Sequence, residues 1–267
     1  MVKTAGCGIL SFFTASMLGL LPAVAHEFWL EPGNFTPRPA ENVPISILIG
    51  ERFKGNSFPF IRQEFRKFVI IDARGEKPVK GVDGDDPALN VKFTAPGLVV
   101  FAHYSTREKL QFDTWQQFLT YLEFEGLEHI AQLHLQQGKP QTKIKETYSR
   151  CAKLLMSVSG GGGEDRLTGM PLELVAERNP YALKPGEPLP VRLYFDGKPA
   201  ADVMISAISK AEPENRMRVR TDKEGRASIA LPAAGPWLLN AVHMIPPARG
   251  ADAHWASLWA SMTFARP

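Results

Sequence analysis

Trp237-Leu238-Leu239-Asn240-Ala241-Val242-His243 is an apolar run of strand length, and it stands in a series. Comparable runs occur at 172–176, 191–195, 203–208, 217–220, 227–231 and 255–264. Asp196-Gly197 and Thr221-Asp222-Lys223-Glu224-Gly225 separate them with residues that tolerate turn conformations. Seven short strands at regular spacing predict a β-sandwich. Just before the series, Ser159-Gly160-Gly161-Gly162-Gly163-Glu164-Asp165 has too few side chains to pack a regular element, so 159–170 is expected as a linker and 171–267 as a domain.

Upstream of that linker the chain is mixed. Between 26 and 104 it reads as short strands broken by turns, at 43–49, 65–72 and 98–104, with an acidic, turn-rich loop at 81–87. Alternation in the third strand puts Val99, Phe101 and His103 on one face, and Val100, Ala102 and Tyr104 on the other. The period then lengthens. Asp113 or Thr114 caps a helix striped by Trp115, Phe118, Leu119 and Leu122 and interrupted at Gly126. A second helix is expected at 127–137, stopped by Gly138-Lys139-Pro140, and a third at 143–158 with Ile144, Tyr148, Cys151 and Leu155 on one face. All three are amphipathic and are expected to lie against a sheet. The chain is therefore mainly β, with 26–158 as a first domain that carries inserted helices.

At the front, Lys3, an apolar run at 9–21 and the small residues of Ala23-Val24-Ala25 predict a signal peptide, residues 1–25, cut after Ala25. The apolar run is too short to span a bilayer. Thr4-Ala5-Gly6-Cys7 lacks the preceding apolar stretch of a lipoprotein signal. Removing 25 residues from 267 leaves 242, enough for two ordinary domains. Losing Lys3 leaves 30 basic against 28 acidic residues, too even a balance for nucleic acid. Cys151 is then the only cysteine, which excludes an internal disulfide and a thiolate metal cluster. A soluble periplasmic product is expected.

Cleavage after Ala25 exposes His26 as the first residue, with an α-amino group and an imidazole on one residue. That pair can close a chelate ring on a divalent transition metal, because the amino group loses its proton near pH ~8 and imidazole suits nickel, copper and zinc. His103 and His243 are further candidate ligands, although each can equally serve as a strand-edge or core residue. His254 lies beside Asp252, an arrangement seen at metal sites and in surface loops. His129 and His134 are about 140 degrees apart on a helix, so they cannot share an ion, and both are expected in solvent. The carboxylate pairs at 83–86 and 123–125 lack facing geometry, and neither a phosphate loop nor a serine elbow is present. The expectation is a binding protein rather than an enzyme.

Ala25-His26-Glu27-Phe28-Trp29-Leu30-Glu31-Pro32, the helical Phe118-Leu119-Thr120-Tyr121-Leu122-Glu123-Phe124-Glu125-Gly126-Leu127, Glu146-Thr147-Tyr148-Ser149-Arg150 and Gly235-Pro236-Trp237-Leu238-Leu239 share one likeness. Together they make the chain resemble the periplasmic component of nickel or cobalt uptake, the NikK/CbiK type, also described as a domain of unknown function. The resemblance implies two β-sandwich domains, the first with inserted helices and the second of transthyretin or carboxypeptidase-regulatory type. It implies Ni(II) or Co(II) as the bound ion, with Cu(II) as the rival, and a membrane metal-uptake transporter as partner. The ligands it carries over are His26 and His243, with His103 as a third. Tyr121, Glu123, Tyr148 and Arg150 fall in its motifs and read as polar pairing between two helices.

Overall fold

The computed structural model describes residues 27–267, so the expected signal peptide and His26 lie outside the described residues. Strands dominate. In chain order they are β1 (Glu27–Pro32), β2 (Asn42–Glu51), β3 (Lys54–Phe58), β4 (Phe65–Asp72), β5 (Gly75–Pro78), β6 (Leu89–Lys92), β7 (Gly97–Ser105) and β8 (Glu108–Thr114). Two helices follow, α1 (Trp115–Glu125) and α2 (Glu128–Gln136), and then the long strand β9 (Thr142–Val158). The remainder holds β10 (Leu172–Ala176), β11 (Leu189–Phe195), β12 (Lys198–Pro199), β13 (Met204–Ser209), β14 (Met217–Arg220), β15 (Arg226–Ile229), β16 (Gly235–Ile245) and β17 (Trp255–Arg266).

Three sheets stack around one central layer. The central sheet has the order β14-β13-β16-β17-β9-β7-β4-β5, with β8 also on β9. One face is covered by the small sheet β1-β2-β3 with β6, and there Phe28, Leu30, Ile45 and Phe60 pack on Phe68, Phe101 and Leu154. The opposite face is covered by β10-β11-β12 with β15, where Leu174, Val191 and Leu193 meet Cys151, Leu239 and Met262. Sandwich packing of sheet on sheet thus occurs on both sides. The helices cover the remaining end of the first face through Phe118, Tyr121, Leu122 and Ile130 against Phe112, Trp255 and Trp259.

The third expected helix is a strand. β9 pairs antiparallel with β7 and β8 along one edge and parallel with β17 along the other. Nearly every residue from Ser149 to Val158 is buried, because sheets cover both faces. A strand buried on both faces loses its period of two, and a helical stripe through Ile144, Tyr148, Cys151 and Leu155 fits it by coincidence.

Residues 159–170 do not separate two sheets. The central sheet runs unbroken from β4, β7 and β9 into β17, β16 and β13, and one core cluster combines Val100 and Leu155 with Leu174 and Leu239. The glycine run itself lies against β7, where the Leu98 N–H donates to the Gly162 carbonyl at 2.9 Å. A Cβ on Gly161 would stand 2.0 Å from the Gly97 nitrogen, so the contact admits only glycine.

Candidate functional site

The first described residue, Glu27, is anchored at the start of β1. Its carboxylate accepts the Phe53 N–H at 3.0 Å and pairs with Arg216, just ahead of β14. Arg52 and Phe53 make the β2–β3 turn with φ of 55 and 58 degrees, and the Glu27 bond fastens that turn over β1. Arg216 in turn lies over the Phe124 ring at 4.5 Å, tying the strand start to the end of α1. The start of β1 is therefore held in a built location.

One residue on, Phe28 borders a cavity of about 270 Å³ together with Ile47, Phe65, His103, Glu108 and Arg150. His103 is 4% exposed, its ring 5.0–5.6 Å from those of Phe28, Phe65 and Phe68. Its Nδ1 is buried and has no hydrogen-bond partner among the described residues. Burial, with repulsion from Arg150 second, pulls His103 down to about 3, so the imidazole is neutral across the physiological range and keeps a lone pair free. The Arg150 charge is balanced in place. Its Nη1 donates to Glu108 at 2.5 Å, and the Tyr148 hydroxyl donates to the other Glu108 oxygen at 2.7 Å.

A second polar group lies under α1. Glu146 Oε1 accepts from the Tyr121 hydroxyl at 3.2 Å and from Ser257, which also accepts the Trp259 Nε1–H at 2.9 Å. Glu146 Oε2 is buried without a partner among the described residues. Burial pushes Glu146 up to about 7, against the lowering effect of those two donors, and pushes Glu125 up to about 8, where Arg216 partly offsets it. Glu146 and Ala152, the residue opposite His103, are six positions apart on β9. Strand rise separates them by about 20 Å, so His103 and this acid pair are distinct sites.

The expected histidines divide accordingly. His103 takes the face its alternation predicts. His243 follows Leu239 and Ala241 onto the opposite face, its ring 4.7 Å from Phe195, so the sheet itself stands between it and His103. His26 is outside the described residues. His134 is fully buried, contrary to its expected place in solvent: it accepts the Trp255 Nε1–H and bonds the Pro140 carbonyl, each at 2.9 Å. His254 uses Nδ1 to accept the Lys145 N–H at 2.9 Å, which makes it a fastener between loop and strand. Among the described residues no group of three or more His, Cys, Asp or Glu side chains is disposed to hold a metal ion. Nor is any of their helices long and apolar enough to cross a membrane.

Tyr148 and Arg150 do pair with polar groups, though from a strand to β8 rather than between helices, and Glu123 is exposed. The role of Glu108 escaped the sequence reading, because a charged residue in a short edge strand carries no periodic signal.

A family model described as Domain of unknown function (DUF4198) matches residues 23–245. No curated protein gives a significant match. Among solved structures, the chain is similar to the D0-D1 domain of intimin at 9% identity and a TM-score of 0.20, covering 89% of this chain and 97% of that one. It is also similar to a tetra-tandem repeat in the extending region of a large adhesion protein, at 8% identity and a TM-score of 0.23, covering 91% and 50%. A third similarity is to trypsin-activated alpha-2-macroglobulin from Escherichia coli, at 13% identity and a TM-score of 0.22, covering 91% and 16%.

Proposed function

The chain belongs to the DUF4198 family, and from that premise we propose that it is a periplasmic binding protein for a divalent transition metal, nickel or cobalt, which it hands to a membrane uptake transporter. The observation that carries the reading is His103. Its Nδ1 is buried, with no partner among the described residues, on the wall of a cavity that Phe28 also lines, and His26 precedes Phe28 by two residues. The Cα atoms of His26 and Glu27 are about 3.8 Å apart across the peptide bond, and Glu27 is fixed by Phe53 and Arg216. In this reading the amino and imidazole nitrogens of His26 supply ligands that the described residues lack, and neutral His103 adds a third. His243 is left out, since it faces the other side of the sheet.

Calorimetric titration of the chain processed to start at His26 tests this with Ni(II), Co(II), Cu(II) and Zn(II) in turn. Adding one residue before His26 blocks the amino ligand and is expected to weaken binding at least tenfold, about 1.4 kcal/mol. His103→Ala is expected to weaken it as well, and His243→Ala to leave it unchanged. Copper binding far more tightly than nickel or cobalt would change the cargo, since nitrogen ligands favour copper intrinsically. Absence of binding by every ion, or equal affinity with the extra residue present, would overturn the reading.

A further inference from the structure

Lys153 interrupts the apolar run Cys151-Ala152-Lys153-Leu154-Leu155-Met156 in the middle of β9, and its side chain is completely buried. Two carboxylates, buried to the same degree, meet it. Lys153 Nζ is 3.1 and 3.3 Å from the two oxygens of Asp165, in the glycine-rich loop, and 2.7 Å from Glu173, on β10. The metal-binding reading uses none of these groups.

We propose that Lys153 and Asp165 join in an intramolecular amide bond, formed by the folded chain itself with Glu173 as the proton carrier. A nucleophilic nitrogen, a carboxyl carbon and a proton-accepting oxygen are held in contact where water is excluded. Preassembly of this kind replaces a bimolecular encounter with a unimolecular step. Burying unlike charges is costly even when they pair, so proton transfer from the ammonium to the Asp165 carboxylate within the site leaves two neutral reactants. Burial raises the Asp165 carboxyl against the opposing effect of Lys153 and favours that transfer.

The step balances. The Nζ lone pair attacks Asp165 Cγ and the Nζ–Cγ bond forms. Glu173 takes the proton that nitrogen sheds and passes it to the departing Asp165 oxygen, the Cγ–O bond breaks with its electron pair, and one water leaves. Net charge over the three residues is unchanged, at minus one. Charge developing on the carboxyl oxygens meets donors already placed: the Arg166 N–H at 2.8 Å on Oδ1 and the Ala176 N–H at 2.9 Å on Oδ2. Glu173 is held in position by the N–H groups of Thr168, Gly169 and Met170 at 2.8–3.2 Å. The product amide N–H has an acceptor waiting in the Arg166 carbonyl, 3.0 Å from Nζ.

Intact-mass measurement of the purified, folded full-length mature protein decides the matter. The expected mass is that of the mature sequence less one water, with a branched tryptic peptide joining the Lys153 segment to the Asp165 segment. Asp165→Asn is expected to reach the same final mass as the wild type, because the same amide then forms with loss of ammonia. Glu173→Gln is expected to retain the full mass of its own sequence. A folded wild type with the unreduced mass and separate Lys153 and Asp165 peptides would overturn the proposal, and Glu173→Gln linked at wild-type yield would overturn the role given to Glu173.

Discussion

Two buried carboxyls, Glu125 at the end of α1 and Glu146 beneath that helix, shape how the folded chain responds to pH. Burial raises Glu146 from 4.5 to about 7 and Glu125 from 4.5 to about 8, so between those limits the folded chain keeps protons that the unfolded chain has released. Their stabilising contribution is complete below pH 4.5 and is lost as pH rises through 7 and 8. Thermal unfolding of metal-free protein is expected to show a melting temperature that falls from pH 5 to pH 8. Glu125→Gln is expected to flatten that fall, with about 2–4 °C regained at pH 8 for each kcal/mol recovered. A wild-type melting temperature that holds level over the range would show that these groups ionise normally. Little of this was legible in the sequence. Glu125 and Glu146 sit in motifs that marked the family resemblance, but no spacing rule says that a helix end and a distant strand will bury two acids within electrostatic reach of each other. His103 was legible, since alternation with Val99 and Phe101 assigned its face.

Among the elements, α1 is the one whose ends are written most plainly. Thr114 Oγ1 accepts the Gln117 N–H at 3.2 Å, and Gln117 Oε1 accepts the Thr114 N–H at 3.1 Å, a reciprocal cap that the sequence reading placed at Asp113 or Thr114. At the other end Gly126 closes the helix with φ of 69 degrees. Thr114→Ala is expected to cost about 1 kcal/mol in chemical denaturation, with no effect on metal titration, because the cap lies away from the His103 cavity. The contrast with β9 is physical. A surface helix has one dry face and shows its period, whereas β9 is dry on both faces and shows none. The short partners β3, β5, β6, β8 and β12 went unread for a related reason: each is an edge strand in which at least half of the side chains are exposed, defined by backbone pairing rather than by apolar pattern.

For the whole molecule, the mainly β layered architecture was readable from strand spacing, while the sharing of one central sheet by both halves was not. Pairing across 159–170 depends on which edges meet, and a single chain does not announce its partners. The consequence is measurable. A fragment comprising 171–267 leaves β17 without β9 and strips the cover from the other face of its sheet, where Trp255 and Trp259 pack under the helices and Leu238 under Trp29 and Phe53, so it is expected to lack a cooperative thermal transition. The full chain is expected to melt in one step. Independent folding of that fragment, read by circular dichroism, would restore the division into two domains.

The placement of β17 between β16 and β9 also orders events in time. It follows both of its neighbours along the chain, and it sits in the middle of the sheet rather than at the rim. Until its twelve residues dock, β9 and β16 each expose an unmatched edge, and the central layer closes only once β17 has slotted between them.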